Sequence, residues 1–171
     1  GENNKNICLN ILNFRPQVYI ELPNRSTNGE IIEWNYINLQ KIITKFVNKF
    51  YDIRRDDIKV VSFKKLFYCE STKKFYKFLK IQVNNSSVIY RLKNDCDKIL
   101  QLGGLPIKLK IHEYNINPIL ELTTLRGISS CDWIIFKGKK IRDTDEVINK
   151  KTYCDLEYNV KYNNLYNLND E

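Results

Sequence analysis

The chain has 171 residues, 43% of them hydrophobic and 12% aromatic, which suits one folded domain or two small lobes and argues against disorder. No apolar run approaches the roughly 20 residues a membrane-crossing helix needs, and no signal-peptide pattern opens the sequence. Its 28 Lys and Arg against 20 Asp and Glu leave a net charge of +8, which favours a polyanionic partner.

The five cysteines, Cys8, Cys69, Cys96, Cys131 and Cys154, are widely spaced and odd in number. That excludes the short paired spacings of a zinc ribbon and fits reduced thiols inside a cell. The absence of methionine and the initial Gly1 lead to the expectation that the native protein begins upstream.

In chain order, residues 6–14 read as a strand. Val18, Ile20 and Leu22 then alternate with Tyr19 and Glu21, the pattern of a strand with one buried face. Residues 24–35, carrying Asn24, Ser26, Asn28 and Gly29, read as a polar loop. Leu39, Ile42, Ile43, Phe46, Val47 and Phe50 fall on one helical stripe, with Lys41, Lys45 and Lys49 elsewhere and Asn38 as the expected cap. Burying each large side chain of that stripe stabilises by about 1.5–3 kcal/mol, so the helix must lie on an apolar surface.

Residues 59–68 and 75–83 read as the second and third strands of this unit. A second helix follows, capped by Ser86 or Ser87, turning Val88, Leu92, Cys96, Ile99 and Leu100 inward and ending at Gly103-Gly104. Ile107, Leu109 and Ile111 alternate with Lys108, Lys110 and His112 as a fourth strand. The order strand, helix, strand, strand, helix, strand predicts an α+β ferredoxin-like (RRM-like) unit over residues 16–113, two helices on one face of a four-stranded antiparallel sheet.

Residues 1–15 and 114–171 supply the flanks. Asn117 can cap a short helix, Pro118 suits its first turn and Gly127 can end it in the left-handed conformation. Trp133, Ile134, Ile135 and Phe136 read as a strand, followed by a turn around Gly138, and residues 131–160 as two or three strands in all. A five-stranded barrel built from both chain ends would explain why the helix–sheet unit sits between them.

RNA-recognition sheets carry outward aromatics in the pattern K/R-G-F/Y-G/A-F-V-x-F/Y. Lys74-Phe75-Tyr76-Lys77-Phe78-Leu79-Lys80-Ile81 keeps the basic start and two outward aromatics but replaces both small residues and the last aromatic. Tyr19, Tyr76 and Phe78 would form a stacking platform flanked by Lys80, Lys108 and Lys110, worth roughly 1–3 kcal/mol per stacked base. Two basic clusters are candidate phosphate contacts or simply solvated turns: Lys64, Lys65, Lys73, Lys74 and Lys77, and Lys137, Lys139, Lys140 and Arg142. Arg54-Arg55-Asp56-Asp57 reads as a balanced surface turn and His112 as a surface histidine. Neither a Gly-rich phosphate loop nor a catalytic constellation is visible, so no catalytic or metal-ligating residue is expected in this stretch.

Three segments carry a family resemblance. NPILELTTLRGISSCDWIIF, from Asn117 to Phe136, resembles the "N-I-D-P-x-L-R-F … G-I … C-x-W-I" signature in the N-terminal region of B-family DNA polymerases. NFRPQVYIELP, from Asn13 to Pro23, resembles that family's "F-x-P-Y-F-Y-I-E-L-P" strand. FYCESTKKFYKFLKIQV, from Phe67 to Val83, resembles "F-Y-G-F-T-x-x-K-K-F-x-F-L-x-I-x-F", departing at Cys69-Glu70 where the family often has Gly-Phe. The tail KTYCDLEYNVKYNNLYNLND resembles the approach to the exonuclease domain, so the resemblance covers nearly the whole chain.

The resemblance implies an oligonucleotide-binding-like (OB-like) barrel interrupted by the RRM-like unit, as the non-catalytic front of a replicative polymerase of the delta or large-virus type. It would brace the exonuclease and palm and contact the single-stranded template, in the nucleus or a viral replication compartment. Catalysis by Mg2+ ions would use carboxylates of later domains, with no cofactor in this piece. Asp143-Thr144-Asp145 lacks the Tyr-Gly and Ser that flank the family's palm motif and reads as coincidence. The remaining polymerase domains would be partners in the same chain, and the aromatic sheet face could be their packing surface instead of a binding platform. The competing readings are a stand-alone RRM-like module and a purely structural or protein-binding domain.

Overall fold

A computed structural model describes residues 5–64, 75–129, 132–141 and 152–168. They form a mixed α+β chain of two compact units, Arg15–Ile116 and a second built from Gly1–Phe14 with Asn117–Glu171. The first strand, β1 (Ile7–Leu12), belongs to the second unit.

The Arg15–Ile116 unit starts with β2 (Gln17–Glu21) and α1 (Tyr36–Lys49). A 3-10 turn at Arg55–Asp57 leads into β3 (Ile58–Lys64), and β4 (Phe75–Gln82) precedes α2 (Ser86–Cys96). The hairpin of β5 (Ile99–Leu102) and β6 (Leu105–Lys108) runs into β7 (Lys110–His112). Four strands form one antiparallel sheet in the order β3-β4-β2-β7.

Register decides which side chains meet, because in-register partners share a face. Val18 pairs with Ile81 and Ile81 with Ile58, while Ile20 lies between Leu79 and Ile111. These residues share a buried core with Ile42, Ile43 and Phe46 of α1 and Val88, Ile89, Leu92 and Cys96 of α2. Both helices therefore close the same face of the sheet, as the alternation of β2 and the stripe of α1 predict.

Several local expectations are corrected. Asn35, not Asn38, caps α1 by accepting from the Asn38 amide (3.0 Å), and the Asn38 side chain donates to the Glu33 carbonyl instead. Asn85, not a serine, caps α2 by accepting from the Ser87 amide (2.9 Å). That helix stops at Cys96, so Ile99 faces outward at 61% exposure and Leu100 belongs to the hairpin. Gly103 and Gly104 take positive φ (61° and 89°), the geometry of a two-residue hairpin turn.

The polar loop before α1 also contributes to the core: Ile32 and Trp34 are buried. The Trp34 indole donates to the Pro23 carbonyl (2.7 Å), and Lys77 Nζ donates to the Trp34 carbonyl (2.9 Å), so Lys77 pins the loop. Asp57, expected on a surface turn, is buried, accepts from the Arg54 amide (2.9 Å) and is bridged by Arg15.

In the other unit α3 (Pro118–Leu125) is capped by Asn117, whose side chain accepts from the Ile119 amide (2.8 Å), with Pro118 in the first turn. Gly127 takes φ 62° after it. β8 (Ile134–Lys140) and β9 (Leu156–Asn167) complete a three-stranded sheet ordered β1-β9-β8, with β1 parallel and β8 antiparallel to β9. Three strands stand among the described residues where five were expected.

Gly138 is not in a turn. It lies inside β8 opposite Val160, beside a register shift after Phe136. Trp133 precedes β8 and is 80% exposed, although its carbonyl accepts from the Leu168 amide (3.0 Å) and so continues the ladder by one bond. Glu157, 2% exposed, accepts from the Thr152 amide and hydroxyl, both at 2.6 Å, and from the Asn10 amide group at 3.3 Å. No helix among the described residues is long and apolar enough to cross a membrane.

Candidate nucleic-acid interface

The sheet face opposite the helices collects the alternate residues of four strands. Lys59 of β3, Lys80 of β4, Tyr19 of β2 and His112 of β7 form one cross-strand row. Val61, Phe78, Glu21 and Lys110 form the next, and Phe63 opposite Tyr76 begins a third. Tyr19, Tyr76, Phe78, Lys80 and Lys110 thus share this face.

The rings pack edge to face at Tyr19–Phe63 and Phe78–His112 and tilted at Phe63–Phe78. Tyr19 and Phe63 centroids lie 5.5 Å apart, Phe63 and Phe78 5.7 Å, and Phe78 and His112 5.8 Å, within the range of favourable aromatic pairs. Phe78 is only 6% exposed and offers no ring surface to a base. Phe63, at 44%, does. Glu21 Oε2 stands 3.0 Å from His112 Nε2, so His112 is a half-buried member of this network and not the isolated surface residue its flanking lysines suggested.

Phe63, Glu21 and His112 are the members sequence reading missed. The antiparallel pairing of β3 with β4 was the available signal, because it forces Phe63 opposite Tyr76.

The other candidate cations are dispersed. Lys108 ends β6, in the hairpin, opposite Ile99. Lys64 closes β3, while Lys65, Lys73, Lys74 and Arg142 lie outside the described residues, as does Asp143-Thr144-Asp145. Lys137, Lys139 and Lys140 are exposed along β8, an edge strand of the other unit. Strand geometry there corrects the expected turn around Gly138, and charges on an edge discourage pairing with other chains.

Burial, then the neighbouring Asp95 and Asp97 carboxylates, push the Cys96 thiol up to about 12, which keeps it protonated at neutral pH. Among the described residues no group of three His, Cys, Asp or Glu side chains could hold a metal ion. The Mg2+ of polymerase chemistry therefore has no fitting donor set on them, and no step is assigned to it.

No family model matches the sequence. Individual proteins do. Over 99% of its length the chain is 23% identical to a DNA polymerase of Acanthamoeba polyphaga mimivirus. Over 98% it is 28% identical to DNA polymerase 037L of Invertebrate iridescent virus 6. Over 93% it is 24% identical to the DNA polymerase delta catalytic subunit of Plasmodium falciparum. The chain resembles one stretch of DNA polymerases. It spans 10% of the mimivirus protein and 14% of the other two.

Proposed function

We propose that the chain is the non-catalytic N-terminal region of a B-family DNA polymerase, bracing the exonuclease and palm and contacting single-stranded template. The observation that carries this reading is the similarity of nearly the whole chain to viral and delta polymerases. The three ordered motifs, which include β2, β4 and the stretch from α3 into β8, support placement at the front of such a protein.

The strand order adds support. Counted among the four strands of the antiparallel sheet, β7-β2-β4-β3 is fourth, first, third, second, an order that suits the ferredoxin-like arrangement of RNA-recognition domains. The flanking unit, assembled from both chain ends, suits an interrupted OB-like barrel.

On this reading Lys59, Lys80 and Lys110 contact phosphates and Phe63, Tyr19 and Tyr76 stack bases, while Phe78 holds the face together. Mg2+ would serve the whole polymerase from carboxylates elsewhere, in the nucleus or a viral replication compartment. The test is filter binding with single-stranded DNA at low and moderate salt. The expected result is affinity at low salt that falls steeply as salt rises, with neither nucleotidyl transfer nor exonuclease activity from the clean protein. Absence of affinity at low salt would leave a structural or protein-binding domain.

A further inference from the structure

At the edge of the four-stranded sheet, β7 and the end of α2 flank an open cavity of about 380 Å3 lined by Lys93, Asp97, Lys108, Leu109, Lys110, Ile111 and Tyr114. Its size falls in the lower part of the roughly 300–1,000 Å3 typical of small-molecule sites. Three lysines and one aspartate are among its lining residues, so the lining carries a net positive charge. Leu109 and Ile111 supply an apolar floor and Tyr114 an aromatic wall.

One of the cations is held in place. Lys93 Nζ donates to Asp97 Oδ2 at 2.8 Å and lies 5.9 Å from the centre of the Tyr114 ring. An ammonium has three donor hydrogens, and the Asp97 bond uses one. The Asp97 bond holds the Lys93 pKa above its usual value, so the charge persists across the neutral range. Lys108 and Lys110 are exposed on either side of buried Leu109.

A purely inorganic anion would not use the apolar floor, and an uncharged ring would not use the lysines. We propose that this cavity is a nucleotide site, with the phosphate on Lys93, Lys108 and Lys110 and the base against Tyr114 and the Leu109–Ile111 floor. The proposal stands on the cavity itself and does not depend on the polymerase reading. The nucleotide is either free or one unit of a single strand, and the two sources share this chemistry.

The test is titration of the chain at low salt with inorganic phosphate, thymidine, thymidine monophosphate and a short oligothymidylate, followed by the amide resonances of Ile111 and Tyr114. Saturable binding is expected, tighter for the monophosphate than for phosphate or thymidine alone. Lys108→Ala with Lys110→Ala should weaken it about tenfold through lost charge-assisted bonds, and Asp97→Asn should tighten it by removing the competing carboxylate. Thermal melts of each variant establish that it is folded. Displacement of the monophosphate by the oligonucleotide assigns the site to a strand, and failure to displace assigns it to free nucleotide. Monophosphate binding no tighter than thymidine, or unchanged in the double lysine variant, overturns the proposal.

Discussion

Gly138 and Val160 are pressed together across β8 and β9: a Cβ built on Gly138 would stand 2.6 Å from Val160 Cγ2 and 2.8 Å from the Asn159 carbonyl oxygen. The backbone itself is ordinary there, so the constraint is space and not conformational freedom. Gly138→Ala should therefore destabilise the protein by about 1–3 kcal/mol, the usual cost of overpacking, as measured by urea unfolding. Pairing it with Val160→Ala should recover part of the loss, because the closest obstacle is removed.

Phe78 and Phe63 are in contact yet predict opposite phenotypes. Phe78→Ala should cost about 3–5 kcal/mol of stability, since a buried ring is deleted from a closed network. Phe63→Ala should instead lower single-stranded DNA affinity by about 1–3 kcal/mol, seen in filter binding, because its ring is the accessible one. Equal binding losses in both variants, at matched folded fractions, would argue for an open platform.

Replacing Lys59, Lys80 and Lys110 with alanine should flatten the dependence of affinity on salt. Each phosphate left without its lysine lowers the magnitude of the log–log slope by about 0.7 for a single strand. A slope unchanged from the parent protein would move the phosphate binding to the lysines of β8.

Cys96 makes stability depend on alkaline pH. Its folded-state thiol is raised from 9.0 to about 12 by burial, then by Asp95 and Asp97, so the unfolded chain releases its proton first. Ionisation of the unfolded state draws the equilibrium towards unfolding, and stability should fall as pH rises from 9 towards 12. The slope is at most about 1.4 kcal/mol per pH unit. Cys96→Ala should show a shallower decline in chemical denaturation between pH 8 and roughly 11, together with a lower baseline stability.

Much of the Arg15–Ile116 unit is legible because its burial is one-sided. Strict alternation in β2 and the 3.6-residue stripe of α1 each require a buried face, and one core satisfies both. Asn117, Pro118 and Gly127 bracket α3 for reasons local to the backbone.

What was illegible depends on register or on ambiguous punctuation. Ile99 and Leu100 stand at helical spacing from Cys96, and Gly103-Gly104 stops a helix as readily as it turns a hairpin. Gly138 between lysines resembles a turn residue until Val160 is known to lie opposite. The pairing of His112 with Glu21 exists only once β7 is placed beside β2, and no spacing along the chain reveals it. Ile32 and Trp34 escaped because neighbouring polar residues masked them.

The parallel pairing of Ile7–Leu12 with Leu156–Lys161 has a consequence for biosynthesis. As the chain leaves the ribosome, the Arg15–Ile116 unit has its full complement of strands early, whereas β1 must wait until its partner residues, Leu156 to Lys161, have been made. Throughout that interval a six-residue ribbon with an exposed isoleucine at one end and an exposed leucine at the other is available to chaperones or to neighbouring nascent chains.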